Sequence, residues 1–150
     1  MEEICIQQPR RVSGSIMKYK IRTLQRKADK EFSRYVKLNQ CDNSGYCTCC
    51  TCGRTFLWTE IDAGHYVGRA CIPLRYDEMN VHPQCKYCNR FREGMKDEYA
   101  LFLIKTYGED ILNELHQKKY SVGKLTHEDY QELYEMYKEK SNALQGEKEL

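Results

Sequence analysis

Two matched pairs of cysteines are the residues of this chain best suited to chemistry. Cys49 and Cys52 form one Cys-x-x-Cys pair, and Cys85 and Cys88 form another. Each pair places two thiolates on one tight turn, and two such turns supply the four ligands of a tetrahedral zinc site. Gly53 follows the first pair directly, and a glycine there lets the backbone fold around the sulfurs. The spacing therefore predicts a structural Zn²⁺ ion that contributes to folding.

The remaining cysteines leave the ligand set open. Cys47 and Cys50 form an overlapping pair that is followed by a threonine instead of a glycine, so both registers remain possible, and roles for Cys41 and Cys71 are not fixed. Two other interpretations compete with metal binding, namely buried thiols that pack as small apolar side chains and a redox-active pair. The odd total of nine cysteines argues against a disulfide framework and favours metal.

A second group of polar residues lies between and just after the two cysteine pairs. The 32 residues that separate Cys52 from Cys85 exceed the roughly 15 to 20 of a compact zinc finger. Histidine can deprotonate water near neutral pH, and carboxylate and amide oxygens suit a hard divalent cation. This composition suits metal-assisted hydrolysis of a phosphodiester. The group consists of Asp62, His65, Asn80, His82 and Asn89.

An amphipathic helix is predicted ahead of this region, over residues 18–40. Its apolar side chains recur every four residues, as one face of a helix requires. A basic stripe with the same spacing lies two positions out of step, and the first 40 residues carry 10 basic and 4 acidic side chains. We expect the stripe to contact DNA phosphates, although a solvated face has the same pattern. The basic stripe consists of Arg22, Arg26, Lys30 and Arg34.

The rest of the chain divides by its turn residues and periodicity. Residues 41–94 contain glycines and a proline that separate short β-like segments. Residues 95–140 are predicted to be helical, with two short helices and a third that is capped at Thr126. Residues 1–17 are expected to form a mobile leader and residues 141–150 a frayed tail.

Composition excludes several classes of protein. The length of 150 residues fits one domain. The longest apolar run, Tyr99 to Ile104, is far shorter than the roughly 20 residues of a membrane span, and the first residues lack a signal-peptide pattern. We therefore expect a cytoplasmic protein with no membrane partner.

Several separate motifs, in one order, resemble the phage NinG/Rap recombination endonucleases, which are HNH-like (ββα-metal) nucleases with zinc knuckles. The resemblance covers about residues 20–116 and includes the cysteine pairs described above. The motifs are Lys27-Ala28-Asp29-Lys30, Tyr46-Cys47, Asp62-Ala63-Gly64-His65-Tyr66, Arg75-Tyr76-Asp77-Glu78, Asn80-Val81-His82-Pro83-Gln84-Cys85 and Cys88-Asn89.

The resemblance implies a fold and an activity. The fold is α+β, with a zinc-braced ββα-metal (HNH-like) core in residues 41–94, the basic helix before it and helices after it. The activity is a structure-specific endonuclease that cuts branched recombination DNA with Mg²⁺ or Mn²⁺, in the cytoplasm of a bacterial host.

The resemblance also assigns roles within the motifs. His65 becomes the base, Asn80 orients its imidazole and Asn89 binds the catalytic cation. Gly64 occupies the position at which the common motif has a metal ligand. Asp62 and His82 are therefore candidate ligands in its place. For His82, a structural or surface role is the competing interpretation.

DNA contacts are also expected from cations around the insert. Arg69 and Arg75 would touch the cleaved strand, where a guanidinium suits bidentate phosphate contact, and Lys86, Arg90 and Arg92 would line the other side. Symmetric cuts in a branched substrate would suit a homodimer.

Two other functions remain open. A zinc-containing DNA-binding module without catalysis would carry the same knuckles and basic stripe, and it differs in having no need for His65, Asn80 and Asn89. A thiol-disulfide enzyme would need an exposed cysteine of low pKa.

Overall fold

The computed structural model of the chain describes residues 14–150, so most of the predicted leader, residues 1–13, lies outside the described residues. The long helix α1 spans Gly14–Gln40 and thus begins four residues before the predicted start at Lys18. Its apolar face packs against other elements through side chains that are all buried, namely Leu24, Ala28, Phe32 and Val36.

The middle of the chain is built from two small antiparallel sheets. The first joins β1 (Tyr46–Thr48) to β2 (Thr55–Leu57), and the second joins β3 (Asp62–His65) to β4 (Val81–Gln84). The short helix α2 (Ile72–Arg75) lies in the loop between β3 and β4. A π helix, Tyr87–Phe91, follows β4 directly.

Three helices complete the fold: α3 (Lys96–Tyr107), α4 (Ile111–Lys119) and α5 (His127–Glu147). They lie where periodicity predicts helices. Thr126 and Asp129 form a reciprocal capping box at the start of α5, and this box satisfies two backbone N–H groups that a helix start leaves free. The protein is therefore a mixed α+β structure.

Helices α1 and α5 run parallel and form one layer. Gln25, near the middle of α1, donates to the hydroxyl of Tyr130 in the first turn of α5, and Ser141 donates to the carbonyl of Glu31 further along both helices. Aromatic side chains fill the seam, with the Phe32 and Tyr137 rings 4.8 Å apart. The tyrosines of the C-terminal part thus cover the core.

The end of the chain differs from the predicted frayed tail. Helix α5 continues to Glu147, and the Lys148 ammonium donates to the carbonyls of Leu38 and Cys41 at 2.7 and 2.6 Å. A cation there satisfies carbonyls that the end of α1 leaves free. This tertiary contact, which no local pattern of residues 141–150 reveals, holds the segment on the core.

The β3–β4 hairpin lies between α1 and the α3–α4 pair. Ala63 and Val81 pack against Phe32 and Val36 of α1. The other side of the hairpin meets Tyr99, whose hydroxyl donates to the carbonyl of Gly64 at 2.8 Å. In the part of the chain that the structure describes, no helix is long and apolar enough to cross a membrane.

Candidate functional site

The two Cys-x-x-Cys turns meet in one cluster. The sulfurs of Cys49, Cys52, Cys85 and Cys88 all lie within 4.8 Å of one another, and those of Cys52 and Cys85 are 3.9 Å apart. A tetrahedron with Zn–S bonds of about 2.3 Å has edges of about 3.8 Å. Gly53 has a φ of +73°, a conformation that glycine adopts without strain. These four cysteines can hold a metal ion such as zinc.

Hydrogen bonds favour the thiolate at Cys49, whereas burial raises the pKa of Cys85 and of Cys88. Burial raises the pKa of Cys49, but the amide of Cys85 and the hydroxyl of Thr51 stabilise its anion and together lower the pKa to about 6. Burial raises the pKa of Cys88 to about 12, and its cysteine neighbours add to this. A divalent cation would offset the repulsion between four adjacent thiolates, so the donor set fits Zn²⁺.

Three described cysteines outside the cluster make other contacts. The thiols of Cys41 and Cys47 donate to carbonyls at the end of α1, those of Leu38 and Lys37, each at 3.3 Å. Cys50 packs against the α3–α4 core instead. The structure therefore selects the cysteine register that ends in a glycine.

A cationic pocket of about 460 Å³ lies beside the hairpin. Strand β3 contributes Asp62 and His65, and the π helix contributes Asn89 and Arg90. Because Cys88 of the four-cysteine cluster lies within the π helix, the cluster fixes the position of Asn89. The pocket is also lined by Ser33, Lys37, Ala63, Gly68 and Arg69.

One nitrogen of His65 is held and the other is left as a base. Nε2 lies 2.9 Å from the backbone carbonyl of Arg75, at the end of α2. A carbonyl can only accept, so Nε2 carries the hydrogen and Nδ1 keeps its lone pair. Burial lowers the pKa of His65 to about 4, and the charges of Arg69 and Arg75 act in the same direction. The imidazole is therefore neutral at pH 7.

Asn80 does not hold the imidazole as predicted. Its fully buried amide bonds both the N–H and the carbonyl of Val67 at 2.8 and 2.9 Å, and it donates to the carbonyl of Leu74 at 3.0 Å. Leu74 precedes Arg75, whose carbonyl binds His65. Asn80 thus braces the loop that orients the histidine and acts on the imidazole only through that loop.

Asp62 and Asn89 are brought together at the mouth of the pocket. Asn89 donates to one carboxylate oxygen of Asp62 at 3.0 Å, and Arg90 forms a bidentate pair with both oxygens at 2.7 and 2.8 Å. Burial alone would raise the pKa of Asp62, but these hydrogen bonds lower it. A side chain at Gly64 would collide with the amide of Gln84, which leaves Asp62 as the carboxylate that β3 supplies here.

His82 does not line the pocket, contrary to its candidacy as a metal ligand. It is buried on the other side of the hairpin, where Nδ1 lies 3.0 Å from the hydroxyl of Tyr99 and Nε2 lies 2.8 Å from that of Tyr107. Tyr99 gives its hydrogen to Gly64, so Nδ1 of His82 donates and Nε2 accepts. With both nitrogens satisfied, His82 is a core histidine.

Sequence comparison places the chain in a family. The family model described as "Bacteriophage Lambda NinG protein" matches residues 5–147. The chain belongs to the NinG family. Over 68 residues it is 40% identical to Protein ninG of Escherichia phage 933W and of Salmonella phage P22, and 38% identical to that of Escherichia phage lambda.

These alignments cover only part of each protein. They include 45% of this chain and 33% of each of the three relatives, so the chain matches about a third of the length of these NinG proteins. No solved structure matches the chain.

Two of the predicted DNA contacts of this NinG-family protein are engaged within the fold. Arg75 forms a bidentate pair with Asp29 at 2.8 and 2.6 Å and has a largely covered side chain. Arg34 pairs with Glu31 and donates to Gln145 of α5. Both arginines therefore stabilise tertiary structure, and neither presents a free guanidinium.

The other predicted cations are exposed. Arg90 is also exposed, although it pairs with Asp62. The exposed cations without such a partner among the described contacts are Arg22, Arg26, Lys30, Arg69, Lys86 and Arg92.

The structure adds Lys37 to the cationic surface of the NinG-family pocket. A helix turns about 100° per residue, so a spacing of four drifts by about 40° at each step. Because of this drift, Arg34 at the end of the predicted stripe no longer lies on the side of α1 that faces the pocket. Lys37 lies within about 20° of Lys30 and Arg26 around the helix axis and lines the pocket. Burial lowers its pKa, and Asp62 opposes that shift. A search of the sequence for basic residues at the helical period of 3.6, instead of at a fixed spacing of four, would have identified Lys37.

Proposed function

We propose that this protein is a metal-dependent, structure-specific DNA endonuclease that cuts branched recombination intermediates. The observation that carries the proposal is the free Nδ1 of His65, which shares a cationic pocket with Asp62 and Asn89. Two further observations support it: family membership, and an antiparallel hairpin followed directly by a helix that a cysteine cluster anchors, the order that an HNH-like site requires. We infer that it acts on DNA in the host cytoplasm, and a homodimer stays a prediction.

In the proposed reaction, His65 takes the proton of the attacking water at Nδ1. The carbonyl of Arg75 holds Nε2–H and stabilises the imidazolium that forms. The low pKa of His65 ensures that the base is unprotonated before the reaction at neutral pH.

The pocket residues fit a Mg²⁺ or Mn²⁺ ion. Asp62 and Asn89 lie side by side, with the amide nitrogen of Asn89 on the Asp62 carboxylate. Hard divalent cations prefer oxygen ligands, so the Asn89 amide would turn to present its oxygen to the ion. When bound, the cation would neutralise charge on the scissile phosphate and on the leaving oxygen. His82 is not part of this ligand set.

The cationic surface would hold the substrate backbone. Arg22, Arg26 and Lys30 lie along the exposed side of α1, which leads to Lys37 and the pocket. Arg69 borders the pocket from the β3–β4 loop. Each cation that pairs with a phosphate contributes affinity that falls with salt and does not depend on sequence.

A cleavage assay on matched DNA substrates tests the proposal. Linear duplex, flap and four-way junction DNA would be incubated with Mg²⁺, Mn²⁺ or EDTA. We expect cleavage of branched DNA that requires the divalent cation and falls by about 10²- to 10⁴-fold in His65→Gln, the usual contribution of a general base. DNA affinity should change little.

The control for this assay is His116→Gln. His116 lies on α4 and outside the pocket, so cleavage should be unchanged. Zinc content and the melting transition would show that both variants are folded. Full activity in a folded His65→Gln protein would contradict the mechanism.

One observation favours the alternative of a zinc-containing DNA-binding module without catalysis. Both carboxylate oxygens of Asp62 are bonded by Arg90, an arrangement that leaves no oxygen unbonded for a cation unless Arg90 moves. The same assay separates the two functions, because a pure binder would retain branched DNA without cutting it under any metal condition.

A further inference from the structure

Two aromatic side chains of the π helix face solvent beside the pocket. Phe91 is 75% exposed and Tyr87 is 52% exposed. They are four residues apart, so they lie on the same side of the helix. Large aromatic side chains contribute most when buried, and two that are exposed together indicate a surface that another molecule covers.

The same helix also forms one wall of the pocket. Asn89 and Arg90 lie between the two aromatic residues in sequence and line the pocket. Lys86 directly precedes the helix and is close enough to Lys37 and Asp62 to affect that region electrostatically. Phe91 directly follows Arg90, so the aromatic pair lies next to the wall of the pocket without lining the pocket itself.

The positive charge around the aromatic pair indicates which class of molecule could bind there. No acidic residue occurs between Met79 and Arg92, and Glu93 follows directly. Lys86 and Arg92 are exposed, whereas the exposed Arg90 is paired with Asp62. Cations interleaved with exposed aromatic rings are the pattern of a surface that binds single-stranded nucleic acid, because the cations contact the backbone while the rings stack on the bases.

We propose that Tyr87 and Phe91 form a stacking platform for unpaired bases of the DNA strand that leaves the pocket. Bases within a duplex are stacked on each other, and only an unpaired base presents a face to an aromatic ring. A branch point with a single-stranded arm supplies such bases, whereas the arms of a four-way junction are duplex, so the platform favours DNA with a single-stranded arm next to the cleaved bond. This inference rests on the proposed function for the identity of the substrate.

Binding measurements with a base-free arm would test the platform. The full-length, zinc-loaded protein would be titrated without Mg²⁺ against a duplex with a single-stranded flap, the same flap built from abasic sites, and a blunt duplex. Tyr87→Leu/Phe91→Leu keeps apolar bulk and removes the rings. We expect it to bind the flap with bases about tenfold more weakly, in keeping with the loss of base stacking.

The other arms of the experiment separate stacking from charge. The double variant should bind the abasic flap and the blunt duplex within about twofold of wild type, because the phosphate contacts are intact. Wild type should itself lose about tenfold when the flap bases are removed. Tyr120→Leu, which removes a tyrosine that is 68% exposed on the far end of α4, should behave as wild type.

Two results would overturn the platform. An unchanged affinity of the double variant for the flap would show that the rings contact no base, and an equal loss on all three DNAs would show a general effect on binding. The cleavage assay reads the proposed function separately. If cleavage depends on His65 but loss of the two rings has no effect on binding, the platform proposal fails and the nuclease proposal stands. If loss of the rings weakens binding only to DNA with flap bases, but no cleavage occurs, the nuclease proposal fails and the platform proposal stands.

Discussion

The two faces of the β3–β4 hairpin present the same side chain in opposite ways. His65 on the pocket face and His82 on the α3 face are both neutral, and burial is the main reason that the pKa of each falls to about 4. His65 uses Nε2 to bind a backbone carbonyl, and its Nδ1 has no hydrogen-bond partner within residues 14–150. His82 uses both nitrogens to bind tyrosine hydroxyls.

The difference shows that burial and pKa do not by themselves identify a functional histidine. The two rings carry their hydrogens on opposite nitrogens, Nε2 in His65 and Nδ1 in His82, because their partners differ. Chemistry needs the ring nitrogen that remains unsatisfied. The pocket face also gathers charged groups such as Asp62 and Arg90, whereas both ring nitrogens of His82 are paired within the packed α3 face.

Loss of the four-cysteine cluster should unfold the hairpin and so abolish the difference between its two faces. This is the largest effect that we predict. Cys85→Ser removes one of four ligands, and a structural zinc site contributes roughly 10 kcal/mol or more to folding. We expect the cooperative melting transition to be lost, which calorimetry would measure.

The matched control for this variant is Cys71→Ser, since Cys71 lies outside the cluster. That protein should melt as wild type does and retain its zinc by elemental analysis. A Cys85→Ser protein that melts normally would show that the cluster does not support the hairpin.

The α3 face should contribute stability and the pocket face activity. His82→Phe removes both tyrosine contacts from a buried site, and we expect a loss of about 1 to 3 kcal/mol in the free energy of unfolding by urea. Cleavage per folded molecule should change little. Tyr107→Phe removes one of the two contacts and should cost less. A stable but inactive His82→Phe protein would mean that the α3 face, and not the pocket face, carries the catalytic groups.

Acid should weaken the α3 face. The pKa of His82 is about 6.5 in the unfolded chain and about 4 in the fold, so between these values the unfolded state binds more protons. Stability is therefore complete above about pH 6.5 and falls as the pH drops toward 4. For His82 the loss between pH 6.5 and about pH 5 is about 1.5 kcal/mol.

Urea unfolding at several pH values, with zinc content measured at each, would test this dependence. His82→Phe lacks the titrating group and should show a shallower decline than wild type under the same conditions. Identical slopes for the two proteins would mean that other groups account for the acid sensitivity.

The local features of the molecule could be predicted from the sequence. The metal ligands follow from spacing along two short turns, and α1 and the cap of α5 follow from periodicity and from Thr126. His65 and Asn89 both line the pocket, because β3 holds His65 and the helix that contains Cys88 holds Asn89. Their catalytic roles stay predictions.

The features that depend on tertiary contacts could not be predicted. Arg75 lies 46 residues from its partner Asp29, and no pattern near Arg75 indicates that pair. The contacts of His82 depend on α3, which packs against the hairpin only in the folded chain. The motif predicts a direct contact of Asn80 to the imidazole, because it does not show which atoms of the intervening loop the Asn80 amide bonds.

The smallest predicted effect distinguishes two cations of α1 that lie three residues apart. Lys37→Gln removes a charge from the pocket and should weaken DNA binding by a few-fold and reduce the salt slope by about one. Arg34→Gln removes a charge that is already paired with Glu31 and bonded to Gln145, so DNA affinity and its salt dependence should be unchanged. Affinity measured over a range of salt concentrations would compare the two variants. A salt slope altered by Arg34→Gln but not by Lys37→Gln would mean that DNA follows the period-four stripe, and the substrate would then pass α1 on the side of α5 and away from His65.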